Sequence, residues 1–175
     1  MYKSQAYFIR EAAKILKLKL KGATVVLQGF GNASTFSGEY LEKMGAKCIG
    51  ASDSKGSILV PKGFKVSKLL EHKQKKGSVL GFPGSKKIST EQLLTTKCDI
   101  LVPGALENQI NTSIAKKLKC KIIGEAANGP TLPDADPIIF KKKIFMIPDI
   151  LANSGGVCIS SVSYTHLTLP TICSV

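Results

Sequence analysis

The stretch Ala23-Thr24-Val25-Val26-Leu27-Gln28-Gly29-Phe30-Gly31-Asn32-Ala33-Ser34 decides how this chain is read. An apolar run of strand character enters a glycine turn, and helical periodicity follows from about Ser34 to Met44, where Gly45 stops it. A second apolar run, Lys47 to Ser52, ends at Asp53, roughly two dozen residues beyond Gly29. Strand, glycine turn, helix, strand and acid, in that order, are the parts that hold a dinucleotide. Gly29 permits the tight turn, and Gly31 lets the backbone approach a pyrophosphate. The helix N-terminus offers unpaired N–H groups and a partial positive charge to the phosphates. Asp53 is placed to accept hydrogen bonds from ribose hydroxyls. The third position of the fingerprint is Ser34 rather than glycine. A glycine turn in an ordinary α/β domain therefore stays open as the alternative.

Outward from this segment the same rhythm continues. Before it, Ala6 to Leu18 place Phe8, Ile9, Ala12, Ala13, Ile15 and Leu16 at helical spacing. After it come a turn at Asp53–Gly56, a short strand at Ile58–Val60 and a second turn at Pro61-Lys62-Gly63. A helix is expected at Val66–Lys75 with Ser67 as its N-cap, then a glycine- and lysine-rich loop from Gly77 to Lys87 and a short helix at Gln92–Leu94. The second half alternates strand Asp99–Pro103, helix Thr112–Leu118, strand Lys121–Glu125, helix Asp134–Phe140 and strand Lys143–Ile147. Such alternation predicts an α/β fold, a doubly wound, Rossmann-like and mostly parallel sheet with helices on both faces. In these sheets ligands sit beyond the carboxyl ends of the strands. Five polar or glycine-rich loops are expected there: Gly29–Asn32, Asp53–Gly56, Pro103–Asn108, Ala127–Pro130 and Asn153–Gly156.

Composition narrows the function classes. A chain of 175 residues fits one domain of ordinary size. No apolar run approaches the ~18–20 residues of a membrane span, and the N-terminus lacks a signal peptide's pattern. The five cysteines, Cys48, Cys98, Cys120, Cys158 and Cys173, form no CxxC pair and have neither His72 nor His166 beside them. Reduced thiols in a cytoplasmic protein, with no metal site, are the expectation. The net charge of +13 raises nucleic-acid binding as a hypothesis. However, Arg10 is the only arginine, and the lysines are dispersed along the chain without interleaved aromatics, so a solvated lysine surface is preferred.

The loops taken together carry a resemblance. Gln28-Gly-Phe-Gly-Asn32, Ser52-Asp-Ser-Lys-Gly56, Leu101-Val-Pro-Gly-Ala-Leu-Glu-Asn108, Glu125-Ala-Ala-Asn-Gly-Pro130 and Pro148-Asp-Ile-Leu-Ala-Asn-Ser-Gly-Gly-Val157 occur in order. This resembles the coenzyme-binding domain of glutamate dehydrogenases of the small hexameric kind, over about Ala6 to Ser160. Leucine and phenylalanine dehydrogenases share the fold and glycine turn but resemble the loops less well.

The resemblance implies roles residue by residue. Gly29, Gly31, Asn32 and Ala33 match the turn that holds the pyrophosphate, and Asp53 and Ser54 the positions beside the adenosine ribose. Gly104 and Ala105 match backbone packed along the cofactor, although Ala105 is equally read as core packing. Asn128 matches an asparagine near the nicotinamide ribose, and Asn153 one near the nicotinamide amide, with a simple turn cap as the alternative for Asn153. Val157 and Ser160 match positions that close on the amino-acid substrate. The implied reaction is oxidative deamination of L-glutamate to 2-oxoglutarate and ammonia, with NAD as cofactor and NADP possible. Asp53 favours NAD by repelling a 2′-phosphate, Ser54 and Lys55 soften that preference, and Lys55 either meets a 2′-phosphate or solvates its turn.

The chain departs from the family in three places. The family's substrate-activating lysines and proton-transferring aspartate lie in a separate N-terminal domain, so no catalytic residue is assigned here. The isolated chain is expected to be inactive, and the family's hexamer contacts come largely from that other domain. Tyr2 falls where the family has a cofactor-contacting threonine. The final residues, Ser161 to Val175, match neither the family nor a helical pattern and are read as a non-native or artefactual tail. The domain organisation expected is thus 1–160 as an NAD(P)-binding Rossmann domain and 161–175 as that tail. A non-catalytic dinucleotide-binding module stands beside the enzyme reading.

Overall fold

Val25, Val26 and Leu27 are all fully buried, which is possible only where a strand is covered on both faces. In the computed structural model, which describes residues 4–155, they lie in β1 (Thr24–Gln28) at the middle of a seven-stranded sheet. The other strands are β2 (Lys47–Asp53), β3 (Gly56–Phe64), β4 (Lys86–Ile88), β5 (Ile100–Pro103), β6 (Ile122–Gly124) and β7 (Phe145–Ile147). Their order is β4-β3-β2-β1-β5-β6-β7. The five strands from β2 to β7 in that order run parallel, while β3 and β4 pair antiparallel beyond β2.

Helices cover both faces. On one lie α1 (Ser4–Ile15), α2 (Asn32–Lys43) and α3 (Val66–Lys76), whose Ile9, Leu41 and Leu69 pack with Val25, Leu27 and Ile100. On the other lie α4 (Thr90–Leu94), α5 (Thr112–Lys117) and α6 (Asp136–Lys141), whose Leu93, Ile114 and Ile139 pack with Val26, Leu101 and Ile123. Successive residues of β1 thus feed opposite cores, as the period of two requires. Each fully buried Leu or Ile contributes about 2 kcal/mol. A further short helix, α7 (Asp149–Ala152), follows β7. No described helix is long and apolar enough to cross a membrane.

Several local expectations need correction. Ile58–Val60 and the turn at Pro61–Gly63 are parts of one continuous strand, β3. Its pairing with β4 ends at Leu59, so the N–H that Pro61 lacks is not needed by that neighbour. Lys86 and Lys87, read as the end of a loop, form the edge strand β4 together with Ile88. The N-cap of α3 is Lys65, not Ser67, and Glu42 supplies the missing acceptor: its carboxylate takes the Val66 N–H at 3.2 Å and the Lys65 ammonium at 3.1 Å. The first helix ends at Ile15 rather than Leu18, because Lys17 turns to φ 52° and the Leu18 N–H closes on the Ala13 carbonyl at 2.8 Å.

Candidate functional site

Strand order reverses between β1 and β5, and the crevice beyond their carboxyl ends is the place where such sheets take ligands. A cleft of about 420 Å³ opens there. Its walls come from the turn after β1 (Gly29, Phe30, Gly31), the end of β2 (Ser52, Asp53, Ser54), the turn after β5 (Gly104, Ala105, Leu106) and Lys73 of α3.

The turn is built by close backbone approach. Gly29 has φ +90°, and a Cβ there would meet the Ala105 nitrogen at 2.6 Å. The Gly29 N–H donates to Ser52 Oγ at 2.8 Å, and the Gly104 N–H donates to the Gln28 carbonyl at 2.7 Å, so three strand ends are tied together. Gly31 is different. It is the N-cap of α2 with φ −92°, and a Cβ there would meet nothing within 4 Å. No side chain caps α2 and its first turn holds no acid, so the helix directs N–H groups and partial positive charge into open space. The hydroxyl of Ser34 in that turn is fully buried without a hydrogen-bond partner, and a Cβ on Gly104 would fall on it. These features fit a pyrophosphate: open room at Gly31, uncapped amides, and a nearby cation. That cation is Lys73, whose Nζ donates to the Phe30 carbonyl at 2.7 Å and stands 5.9 Å from the Phe30 ring centroid.

Asp53 is more occupied than a ribose acceptor needs to be. Its Oδ1 accepts the N–H groups of Lys55 at 2.8 Å and Gly56 at 3.1 Å, and its Oδ2 accepts the Val79 N–H at 2.6 Å. Burial opposes the charge, but the Val79 and Lys55 amides, the Ser78 hydroxyl and the Gly56 amide outweigh it and hold the carboxyl below its usual range. Lys55 turns away from the cleft: its Nζ lies 3.3 Å from where a Gly77 Cβ would stand, at the carboxyl end of α3.

The expected residues therefore separate into two groups. Gly29, Gly31, Asp53, Ser54, Gly104 and Ala105 line the cleft, and Asn32 lines an adjoining groove of about 310 Å³ between α2 and α3. Ala33 lines neither, and its carbonyl accepts the Ser37 hydroxyl within α2. Asn128 and Asn153 sit together beyond β6 and β7, with Asn153 Nδ2 donating to Asn128 Oδ1 at 3.4 Å. Val157, Ser160, Gly156 and Tyr2 fall outside the described residues, as do Cys158, His166, Cys173 and the tail 161–175. Cys48, Cys98 and Cys120 are buried free thiols, and burial pushes Cys48 and Cys120 up to about 12.

Lys73, Gln28, Thr90 and Gln109 also line the cleft and were not picked out from sequence. No local signal marks Lys73, which reads as one of a lysine run on a solvated helix. His72 beside it is structural: its Nε2 meets the Leu80 carbonyl at 3.0 Å and its ring stands edge-on to Phe82.

Comparison with known proteins agrees with this architecture. The model of the Glutamate/Leucine/Phenylalanine/Valine dehydrogenase family matches residues 3–168. The chain is similar to the NADP-specific glutamate dehydrogenase of Saccharolobus shibatae, 48% identical over 161 residues that cover 92% of this chain and 38% of that protein. It is also similar to the NAD-specific glutamate dehydrogenase of Staphylococcus aureus, 42% identical over 152 residues, 87% of this chain and 36% of that protein. The structure of the hetero-hexameric glutamate dehydrogenase of Thermus thermophilus, in a leucine-bound form, matches with a TM-score of 0.83 at 25% identity, over 94% of this chain and 39% of that one. The chain spans less than two-fifths of the length of these relatives.

Proposed function

The chain belongs to the glutamate/leucine/phenylalanine/valine dehydrogenase family, and from that membership we propose that it is the coenzyme-binding part of an NAD(P)-dependent glutamate dehydrogenase. The proposed overall reaction takes L-glutamate, water and NAD(P)+ to 2-oxoglutarate, ammonia and NAD(P)H. One observation carries the reading: an uncapped α2 N-terminus, with open space at Gly31, stands where the strand order reverses.

In this reading the amides after Gly31, with those of Asn32 and Ala33, hold the pyrophosphate, and Lys73 offsets its charge. Asp53 braces the β2–β3 turn so that its own edge and Ser54 stand beside the adenosine ribose. Gly104 and Ala105 present bare backbone along the cofactor, and Asn128 and Asn153 orient the nicotinamide end. Val157 and Ser160 are assigned to the amino-acid substrate by the resemblance alone. When bound, the nicotinamide supplies the hydride acceptor. NAD is the proposed cofactor, with NADP accepted, because the charge of Asp53 disfavours a 2′-phosphate while Ser54 beside it softens that preference. Assembly of the whole enzyme as a hexamer, and a cytoplasmic location, belong to the same proposal. The 175-residue chain alone is proposed to bind coenzyme without turning over glutamate.

Fluorescence titration of NADH and NADPH into the purified chain tests the reading. Saturable binding that Gly31→Ala weakens supports it. Absence of binding by a chain with an intact melting transition overturns it.

A further inference from the structure

Beyond β6 and β7 the chain is latched by two carboxylates that the cleft itself does not use. Glu125, 4% exposed, points Oε2 at the N–H of Asp149, the first residue of α7, at 2.9 Å. Asp149 in turn accepts the Gly129 N–H at 2.8 Å through Oδ2 and the Ile150 N–H at 2.7 Å through Oδ1. The loop after β6 is thereby clamped to the start of α7. Asn128 precedes Gly129, and Asn153 follows α7. Gln5, buried in the first turn of α1, donates to Asn153 Oδ1 at 2.7 Å.

Magnitudes say which contacts hold the pair. The direct bond between the two carboxamides, at 3.4 Å, is long for an amide hydrogen bond and weak. The bonds to Glu125 and Asp149 are shorter, at 2.9 Å from the Asp149 N–H, 2.8 Å from Gly129 and 2.7 Å from Ile150. Glu125 also carries an evident cost: its Oε1 is buried with no hydrogen-bond partner. A methionine at 125 would pack there without that cost but would leave the Asp149 amide unlatched.

We propose that Glu125 and Asp149 are positioning residues for the nicotinamide end of the site, fixing where Asn128 and Asn153 present their carboxamides while touching no ligand themselves. The inference rests on the coenzyme reading above. A carboxamide recognises a partner through two adjacent groups of opposite sense, so a small swing of either loop loses both bonds at once. The adenosine end, built on β1, β2 and α2, shares none of these latches.

The test compares two ligands on the same chain by calorimetry: NADH, and ADP, which lacks the nicotinamide riboside. Glu125→Met and Asp149→Ala are each expected to weaken NADH about tenfold and leave ADP within about twofold. Glu125→Gln retains the one acceptor oxygen in use and is expected to restore most of the NADH affinity, whereas Asp149→Asn keeps one of two and is expected to restore part of it. Equal losses for both ligands would reduce the carboxylates to general supports of the fold, and unchanged NADH binding would remove their role; either overturns the inference. Wild-type binding of ADP but not NADH also overturns it while leaving the adenosine half of the coenzyme reading intact. Binding of neither ligand overturns the coenzyme reading itself.

Discussion

A Cβ placed on Gly29 would meet the backbone nitrogen of Ala105 at 2.6 Å, whereas one placed on Gly31, two residues on, would meet nothing within 4 Å. The two glycines of one motif thus do different work: the first joins β1 to β5, and the second keeps a surface clear.

Gly29→Ala must therefore both occupy φ +90° and displace the main chain of Gly104 and Ala105. A loss of about 3 kcal/mol is expected in urea denaturation. Gly31→Ala should change stability by no more than about 0.5 kcal/mol yet weaken NADH. If both substitutions cost the same stability, the division of labour is wrong.

Asp53 should shape the acid limb of the stability curve. Its carboxyl is held below the usual value by the amides that overcome its burial. A depressed folded pKa gives stability that is complete above the unfolded value of about 3.9 and is lost as pH falls through the folded one. Asp53→Asn is expected to flatten that limb below about pH 4 in urea titrations at stepped pH.

Glu125 should act with the opposite sign. Burial, together with the charges of Asp149 and Asp136, raises its pKa, and the Thr131 hydroxyl stands near enough to moderate this without reaching hydrogen-bond geometry. The folded chain then binds the proton more tightly than the unfolded one, so stability falls as pH rises from about 4.3 through the folded value. Glu125→Gln removes this slope, and its stability relative to wild type should climb across that window. A constant difference would rule the linkage out.

Lys142 caps α5 from another element, its Nζ donating to the carbonyls of Lys116 at 2.6 Å, Leu118 at 2.8 Å and Ala115 at 3.3 Å. Lys142→Met keeps the apolar stem and should lower stability by about 1 kcal/mol. Lys141→Met beside it, on the same exposed surface, should be neutral in the same denaturation assay.

The parts of the site that could be read in advance are those whose reason is local. Gly29 and Gly31 are legible because a strand, a turn and a helix start leave their marks within a dozen residues. Strand β3 was harder: Pro61-Lys62-Gly63 carries turn chemistry, and only the absence of a β4 partner past Leu59 lets it continue as strand. Strand β4, with Lys86 and Lys87 exposed, shows a single inward side chain, Ile88, too little for any periodicity.

By itself the sequence determined the alternation of strands and helices, the two apolar faces of β1 and the glycine turn, since each follows from side-chain period or backbone sterics. Tertiary structure alone decided what the polar groups do. Asp53 accepts the Val79 N–H through Oδ2, Lys73 reaches back to Phe30, and Gln5 meets Asn153 across 148 positions of chain. Apolar burial is set by pattern and needs no particular partner. A hydrogen bond is set by direction over about 3 Å, and direction exists only once the crossovers have brought the strand ends together.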